Sequence, residues 1–166
     1  MKQATINLYT ISELSPKAQA KALDWYRQRM EYYGIEDTII AAIHAECDER
    51  GISFEWDGID HGFNLAYNLG FCQGDYVGFS GTMVWQGHSI VVKYHERRAT
   101  EIESDMSQSD TDAFKEIYES ICKAAMHAGH EDISYQSSDA ACFEACEACE
   151  YLFLESGARA PRECEE

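Results

Sequence analysis

The chain has 166 residues, 45% apolar and 12% aromatic, and its thirty acidic side chains against thirteen basic ones give a formal net charge of −17. That much apolar surface excludes a disordered acidic tail, and the charge excludes direct binding to nucleic acid or to an anionic membrane, which repel it. What remains is a folded acidic protein steered toward basic partners, or one whose acidity serves solubility alone.

Seven cysteines are an odd number, without the spacing of a secreted disulfide scaffold. The first residues lack the apolar stretch of a signal peptide and no run reaches membrane-spanning length, so reduced thiols and a cytoplasmic location are expected. Acidity is uneven. Residues 1–83 carry a net −6 and residues 84–166 a net −11, and the one local basic cluster is Lys93, Arg97 and Arg98.

In chain order, residues 4–9 read as a first strand with Ile6 and Leu8 on one face. Ser15-Pro16 offers a cap and a first helical residue. Ala18, Ala22, Tyr26, Met30 and Tyr33 follow at helical spacing as far as Gly34. A second helix over about 36–50 places Ile39, Ile43 and Cys47 on one face and stops at Gly51. Ile52, Phe54 and Trp56 then alternate with polar residues, as do Phe63, Leu65, Tyr67, Leu69 and Phe71. Gln73-Gly74-Asp75 can turn the chain into Val77, Phe79, Met83 and Trp85, and Gly87 separates these from Ile90, Val92 and Tyr94. This period of two predicts an antiparallel meander.

Residues 100–108 read as a loop or short helix. Asp110 can cap a helix with Phe114, Ile117, Ile121 and Met126 inward, ended by Gly129. Ile133 and Tyr135 suggest a short strand, residues 140–155 a last helix, and the tail from Gly157 reads as frayed. The expected fold is α+β: an antiparallel sheet of about five strands, helices packed on one face, and a helical C-terminal part. Residues 1–98 form the sheet core and 99–166 an acidic helical part packed on it, within a single domain.

Cys142, Cys146 and Cys149 have the C-x3-C-x2-C spacing of the iron–sulfur signature in radical S-adenosylmethionine enzymes, with Cys164 a fourth thiol. The same spacing is a helical stripe continued by Phe153, and a buried core stripe is the favoured reading. His127, His130, Glu131 and Asp132 lie close together but follow no zinc spacing. Gly70, Gly74, Gly78 and Gly81 match neither a dinucleotide fingerprint nor a P-loop, so a turn and a bulged strand explain them. No cofactor and no catalytic set is legible.

Glu144, Glu147 and Glu150 are three residues apart on one predicted helix. Their rise of about 4.5 Å per step is comparable with the roughly 3.4 Å per phosphate on one DNA strand. Acids recur at Glu101, Glu103, Asp105, Asp110, Asp112, Glu116 and Glu119. These ten residues are the expected partner-binding set, weighed against an ordinary solvated surface.

Tyr9-Thr10-Ile11-Ser12-Glu13-Leu14-Ser15, with Ala18, Ala22 and the Trp25-Tyr26-Arg27 step, resembles the start of small uncharacterised phage and prophage proteins. Those read Y-T-F-x-E-L-S-x-x-A-x-x-x-A, then carry a strand similar to Gly70-Phe71-Cys72-Gln73-Gly74-Asp75 with an aromatic-glycine ending, as at Gly78-Phe79-Ser80-Gly81. The resemblance covers roughly the first half of the chain. It implies a phage accessory gene acting in the host cytoplasm, and no particular chemistry.

Charge and resemblance together lead to one expectation. The protein is a non-enzymatic anti-defence inhibitor, anti-CRISPR or anti-restriction, which mimics nucleic acid toward a basic nucleic-acid-binding host protein. Two alternatives stand beside it. One is a small-ligand or metal-dependent enzyme acting on a nucleotide signal, with His61, Cys72, Gln73 and Asp75 at its site. The other is an antitoxin-like protein that neutralises a basic toxin. The sequence carries no signal of oligomeric state.

Overall fold

A computed structural model describes residues 6–55, 58, 60–96 and 100–161. Helices α1 (Pro16–Arg27), α2 (Ile35–Glu49), α3 (Gln108–Gln136) and α4 (Asp139–Ala148) accompany strands β1 (Ser53–Phe54), β2 (Asn64–Asn68), β3 (Tyr76–Trp85), β4 (His88–Lys93) and β5 (Glu101–Ser104). The fold is α+β, with an open antiparallel sheet of five strands. The chain divides into two compact units, one built from its two ends (residues 1–33 and 133–166) and one from residues 34–132. The boundary expected at residue 98 therefore falls inside the second unit, between the paired strands β4 and β5.

In the end unit, the opening segment is organised by local hydrogen bonds. The Glu13 carboxylate accepts the Thr10 N–H at 2.8 Å and closes a 3-10 turn over Ile11–Glu13. The backbone and side chain of Thr10 together hold the Glu13 carboxyl below its usual range. Ser15 then caps α1 through the Ala18 N–H, and Pro16 occupies the first helical position. Ile11, Leu14, Ala18, Ala22 and Leu23 form a core with Cys142, Cys146 and Phe153 of the chain's other end.

Four expectations are corrected in this unit. Residues 4 and 5 lie outside the described residues, and Tyr9 joins no sheet: it forms an isolated bridge with Phe153 through hydrogen bonds of 2.9 and 2.8 Å. Helix α1 ends at Arg27, whose Nε–H donates to the Ser137 carbonyl at 2.8 Å and whose guanidinium pairs with Asp24 and Asp139. The last helix ends at Ala148, before residue 155. There the Tyr151 N–H reaches back to the Cys146 carbonyl (3.1 Å) while Glu150 takes φ +51°. That is a Schellman stop with a glutamate in the seat glycine normally fills. The described tail residues 157–161 fold back, with Arg159 bridged to Phe153 and Ala160 buried.

In the second unit, α2 follows the predicted pattern. Ile39, Ile43 and Cys47 are buried, and Gly51 (φ +65°) ends the helix with the Ile52 N–H on the Cys47 carbonyl at 2.9 Å. Gly34 (φ +70°) precedes α2 as its N-cap. Strand β3 is central. Its residues 76–80 pair with β2, 83 and 84 with β1, and 81–85 with β4.

Val77, Phe79, Met83 and Trp85 are buried as the alternation predicts, and so are Ile90 and Val92. Phe79 meets Phe63 (5.1 Å between ring centres) and Tyr118 (4.7 Å). The Tyr118 hydroxyl accepts the Phe79 N–H and donates to the Phe79 carbonyl (2.9 and 2.8 Å), so α3 is fastened to the central strand by a fully used buried group. Trp56 and Asp57 lie outside the described residues.

The pattern departs from expectation at three places here. The alternation after Phe63 stops at Asn68, and Phe71 is exposed with φ +54°. Residues 101–104 form β5, a strand where a loop or short helix was expected. Helix α3 runs through Gly129 to Gln136 and absorbs Ile133 and Tyr135. Gly129 is a point of close packing, not a stop: a Cβ there would lie 2.5 Å from Leu69 Cδ1 and 3.2 Å from Ile39 Cγ1. Phe114, Ile121 and Ala125 are buried inward, with Ile117 and Met126 half-buried.

Candidate functional site: acidic rows and an aspartate cluster

All ten acids of the expected partner-binding set are exposed. Glu101, Glu103 and Asp105 alternate along and just beyond β5, so they share a face with about 6.7 Å per step. Lys93 of β4 offsets part of this row's charge, and two histidines lie against it. Lys93 Nζ lies 2.5 Å from Glu103, His88 Nδ1 2.8 Å from Asp105 and His95 Nε2 3.6 Å from Glu101. The His88 contact holds the Asp105 carboxyl below its usual range. β5 is also the sheet's edge, where charge discourages pairing with another chain.

On α3, Asp110 accepts the Ser107 hydroxyl at 2.7 Å and Asp112 accepts the Gln108 amide at 2.9 Å. Asp112, Glu116 and Glu119 follow at helical spacing on an exposed face. On α4, Glu144 and Glu147 are exposed, whereas Glu150 lies beyond the helix in its left-handed turn. The three therefore do not form one continuous helical row, as expected from the sequence; Glu150 leaves it. Arg97 and Arg98 of the basic cluster lie outside the described residues.

Cys142 and Cys146 are buried in the end unit's core, and Cys149 caps α4 and is exposed. Cys164 lies outside the described residues. Burial pushes the thiols of Cys47 and Cys122 up to about 12 and that of Cys146 to about 11. Iodoacetamide applied to the native protein is expected to modify Cys72 and Cys149, the two exposed described thiols. Cys47, Cys142 and Cys146 should react only after denaturant is added. Peptide mapping that finds Cys142 modified as fast as Cys149 in the folded protein contradicts the core assignment.

Of the residues proposed for a ligand site, Cys72, Gln73 and Asp75 come together and His61 does not, its ring packing on Phe63 at 4.8 Å. Their additional partner is His130 of α3. Its Nε2–H donates to Asp75 Oδ2 at 2.7 Å, and its ring stacks on exposed Phe71 at 4.5 Å. Asp75 Oδ1 accepts the Gly70 N–H (2.8 Å) and the Cys72 thiol (3.3 Å). The Asp75 side chain is only 6% exposed.

Burial alone raises the Asp75 carboxyl, but hydrogen bonds from Gly70, Cys72 and His130 outweigh it and hold the group well below the usual carboxylate range. Beside this cluster, a groove of about 250 Å³ runs past Tyr76, Tyr94 and Tyr118 to Cys122 and Lys123. The Tyr94 ring sits where a Cβ on Gly78 would be, 2.4 Å away, which accounts for that glycine.

Because Asp75 ionises more readily in the folded than in the unfolded chain, its contribution to stability is complete above its ordinary value of 3.8. It falls away as pH drops toward the depressed folded value. Asp75→Asn should therefore flatten the acid limb of stability between about pH 4 and pH 2. Urea midpoints measured across that range check this, and parallel curves for wild type and variant contradict it.

His130 was legible only as half of a His-x-x-His pair. Its role depends on the loop after β2, which no local spacing reveals. His127 instead faces Glu131 (3.3 Å) and Asp132 accepts the Thr38 hydroxyl (2.6 Å). Among the described residues, no three His, Cys, Asp or Glu side chains are gathered for a metal ion, and no described helix is long and apolar enough to cross a membrane. Compared with protein-family models, curated proteins and solved structures, the chain matches none.

Proposed function

We propose that the protein is a phage-encoded, non-enzymatic inhibitor of a host nucleic-acid-binding defence complex, acting as an acidic mimic of nucleic acid. One observation carries this reading: a chain of net charge −17 presents all ten carboxylates of the expected partner-binding set to solvent. The α3 and α4 acids contribute more than the β5 row, part of whose charge Lys93 offsets. Such a surface meets a basic groove mainly through ionic contacts, so inhibition should weaken steeply as salt rises. Purified protein should displace DNA or RNA from a host defence complex in a salt-dependent way. Affinity purification from host cells that recovers no nucleic-acid-binding protein sinks the proposal.

A second reading, a small-ligand protein acting on a nucleotide signal, is favoured by the convergence of Cys72, Gln73, Asp75 and His130 beside the tyrosine-lined groove. Both Asp75 oxygens are engaged by the protein itself, and this favours a loop-fastening role for the cluster over catalysis.

A further inference from the structure

Phe71 departs from two rules at once. It is 59% exposed, and its backbone sits at φ +54°, a region that bulky L-residues rarely enter. Burial does not repay that strain, and glycine or asparagine would hold the same turn with less of it. Strained residues persist where their surroundings hold them, and they gather at functional contacts.

The loop that carries the ring is held firmly. Besides the contacts of Asp75 with Gly70 and Cys72, the Asp75 N–H donates to the Cys72 carbonyl at 3.1 Å and the Asn68 amide to the Gly74 carbonyl at 3.4 Å. Leu69 Cδ1 fills the space over Gly129 of α3, and His130 of the same helix reaches Asp75 at 2.7 Å. His130 then backs the Phe71 ring, stacked at 4.5 Å and 26°. The ring is supported on that side and presented to solvent elsewhere, in a geometry fixed before any partner arrives.

The ring also stands at the end of an acidic stripe. Asp112, Glu116, Glu119, Lys123, Met126 and His130 recur at steps of three and four along α3 and share one face. Glu119 and Met126 line one groove, and Met126, His130 and Phe71 line the next. Glu119 and His130 are about 16 Å apart along the helix, and Lys123 is the one base on this stripe. The His130–Asp75 pair beneath the ring is anionic with a neutral imidazole and uncharged with a protonated one, so it does not repel a cation. Resting on the acidic-mimic reading, we propose that Phe71 is an arginine-stacking anchor: its open face receives a guanidinium of the basic partner while the α3 acids meet neighbouring cations. Guanidinium suits the ring better than ammonium because it is planar and weakly hydrated.

The test titrates the intact protein at low salt with hexa-arginine and hexa-lysine peptides of equal charge. Wild type should bind both, and hexa-arginine should shift the Phe71 ring resonances, identified by their contacts with the His130 ring. Phe71→Asn should weaken hexa-arginine by about threefold or more while leaving hexa-lysine within about twofold. Phe71→Trp should keep the arginine preference. Asparagine tolerates positive φ, so an unchanged or raised urea midpoint verifies that this variant is folded. Failure of wild type to bind either peptide removes the acidic-mimic reading and this proposal with it. Binding of both peptides, with Phe71→Asn titrating like wild type or losing both equally, overturns the arginine contact and leaves the acidic surface standing. Ring resonances that respond to AMP and not to hexa-arginine also overturn it, and assign the ring to a small ligand.

Discussion

Gly157→Ala is expected to destabilise the end unit by about 3 kcal/mol or more. Two costs combine. Gly157 has φ +78°, a conformation that costs an L-residue about 1–2 kcal/mol. A Cβ placed there would also lie 2.1 Å from the Ala18 carbonyl oxygen and 2.8 Å from its carbon. Both contacts are backbone atoms of a helix, so no side chain can rotate away, and overpacking of this kind costs typically about 1–3 kcal/mol. Gly34→Ala isolates the first cost, since Gly34 has φ +70° and nothing within 4 Å of its would-be Cβ. Urea unfolding of the two variants separates the contributions. Equal losses would show that the tail does not pack against α1.

What was legible in the sequence follows the range of the interactions. Ser15-Pro16 announced the start of α1 because capping is settled within four residues. The alternation of β3 and β4 was legible because one face of each strand is buried along its length. Gly129 misled because a glycine that stops a helix and one that admits a neighbouring chain look alike in sequence. The deciding contacts, Ile39 and Leu69, are remote. β5 was missed since Glu101, Glu103 and Asp105 leave Ile102 as its one apolar member, too little for a period to register. The opening segment shows the same limit: Tyr9 finds Phe153 and Gly157 finds Ala18, pairings between the two chain ends that no window spans.

For the proposed site, exposure of the acids was predictable from charge alone, since unpaired carboxylates are rarely buried. Their pairing was not. Lys93 opposes the β5 acids only because β4 and β5 are antiparallel neighbours. The segment read as phage-like has a structural explanation at nearly every position, from the Thr10–Glu13 turn to the Ser15 cap and buried Ala18 and Ala22. That segment therefore specifies packing, and the chemistry of recognition has to come from elsewhere on the surface.

The strongest effect on function is expected from reversing charge on and beyond α4. Glu144→Lys, Glu147→Lys and Glu150→Lys together should weaken inhibition by about 100-fold or more, because three attractive contacts become repulsive ones. All three side chains are exposed, and such changes usually alter stability by only about 0.5 kcal/mol each. Glu150 keeps the same backbone burden as a lysine, so its left-handed turn is not a new cost. The comparison triple is Glu36→Lys, Asp48→Lys and Glu49→Lys, three exposed acids of α2 that change the net charge equally. Glu46 is left alone because it is half-buried against Arg50 at 2.5 Å. Lysines at positions 48 and 49 suit the C-terminal end of a helix dipole, which offsets what position 36 loses at the other end. Binding should then fall far more for the α4 triple than for the α2 triple. Equal losses would mean that diffuse charge, not a patterned surface, carries the interaction. If neither triple alters inhibition, the acidity serves solubility and the recognition surface lies elsewhere, with the groove beside Asp75 the next place to mutate.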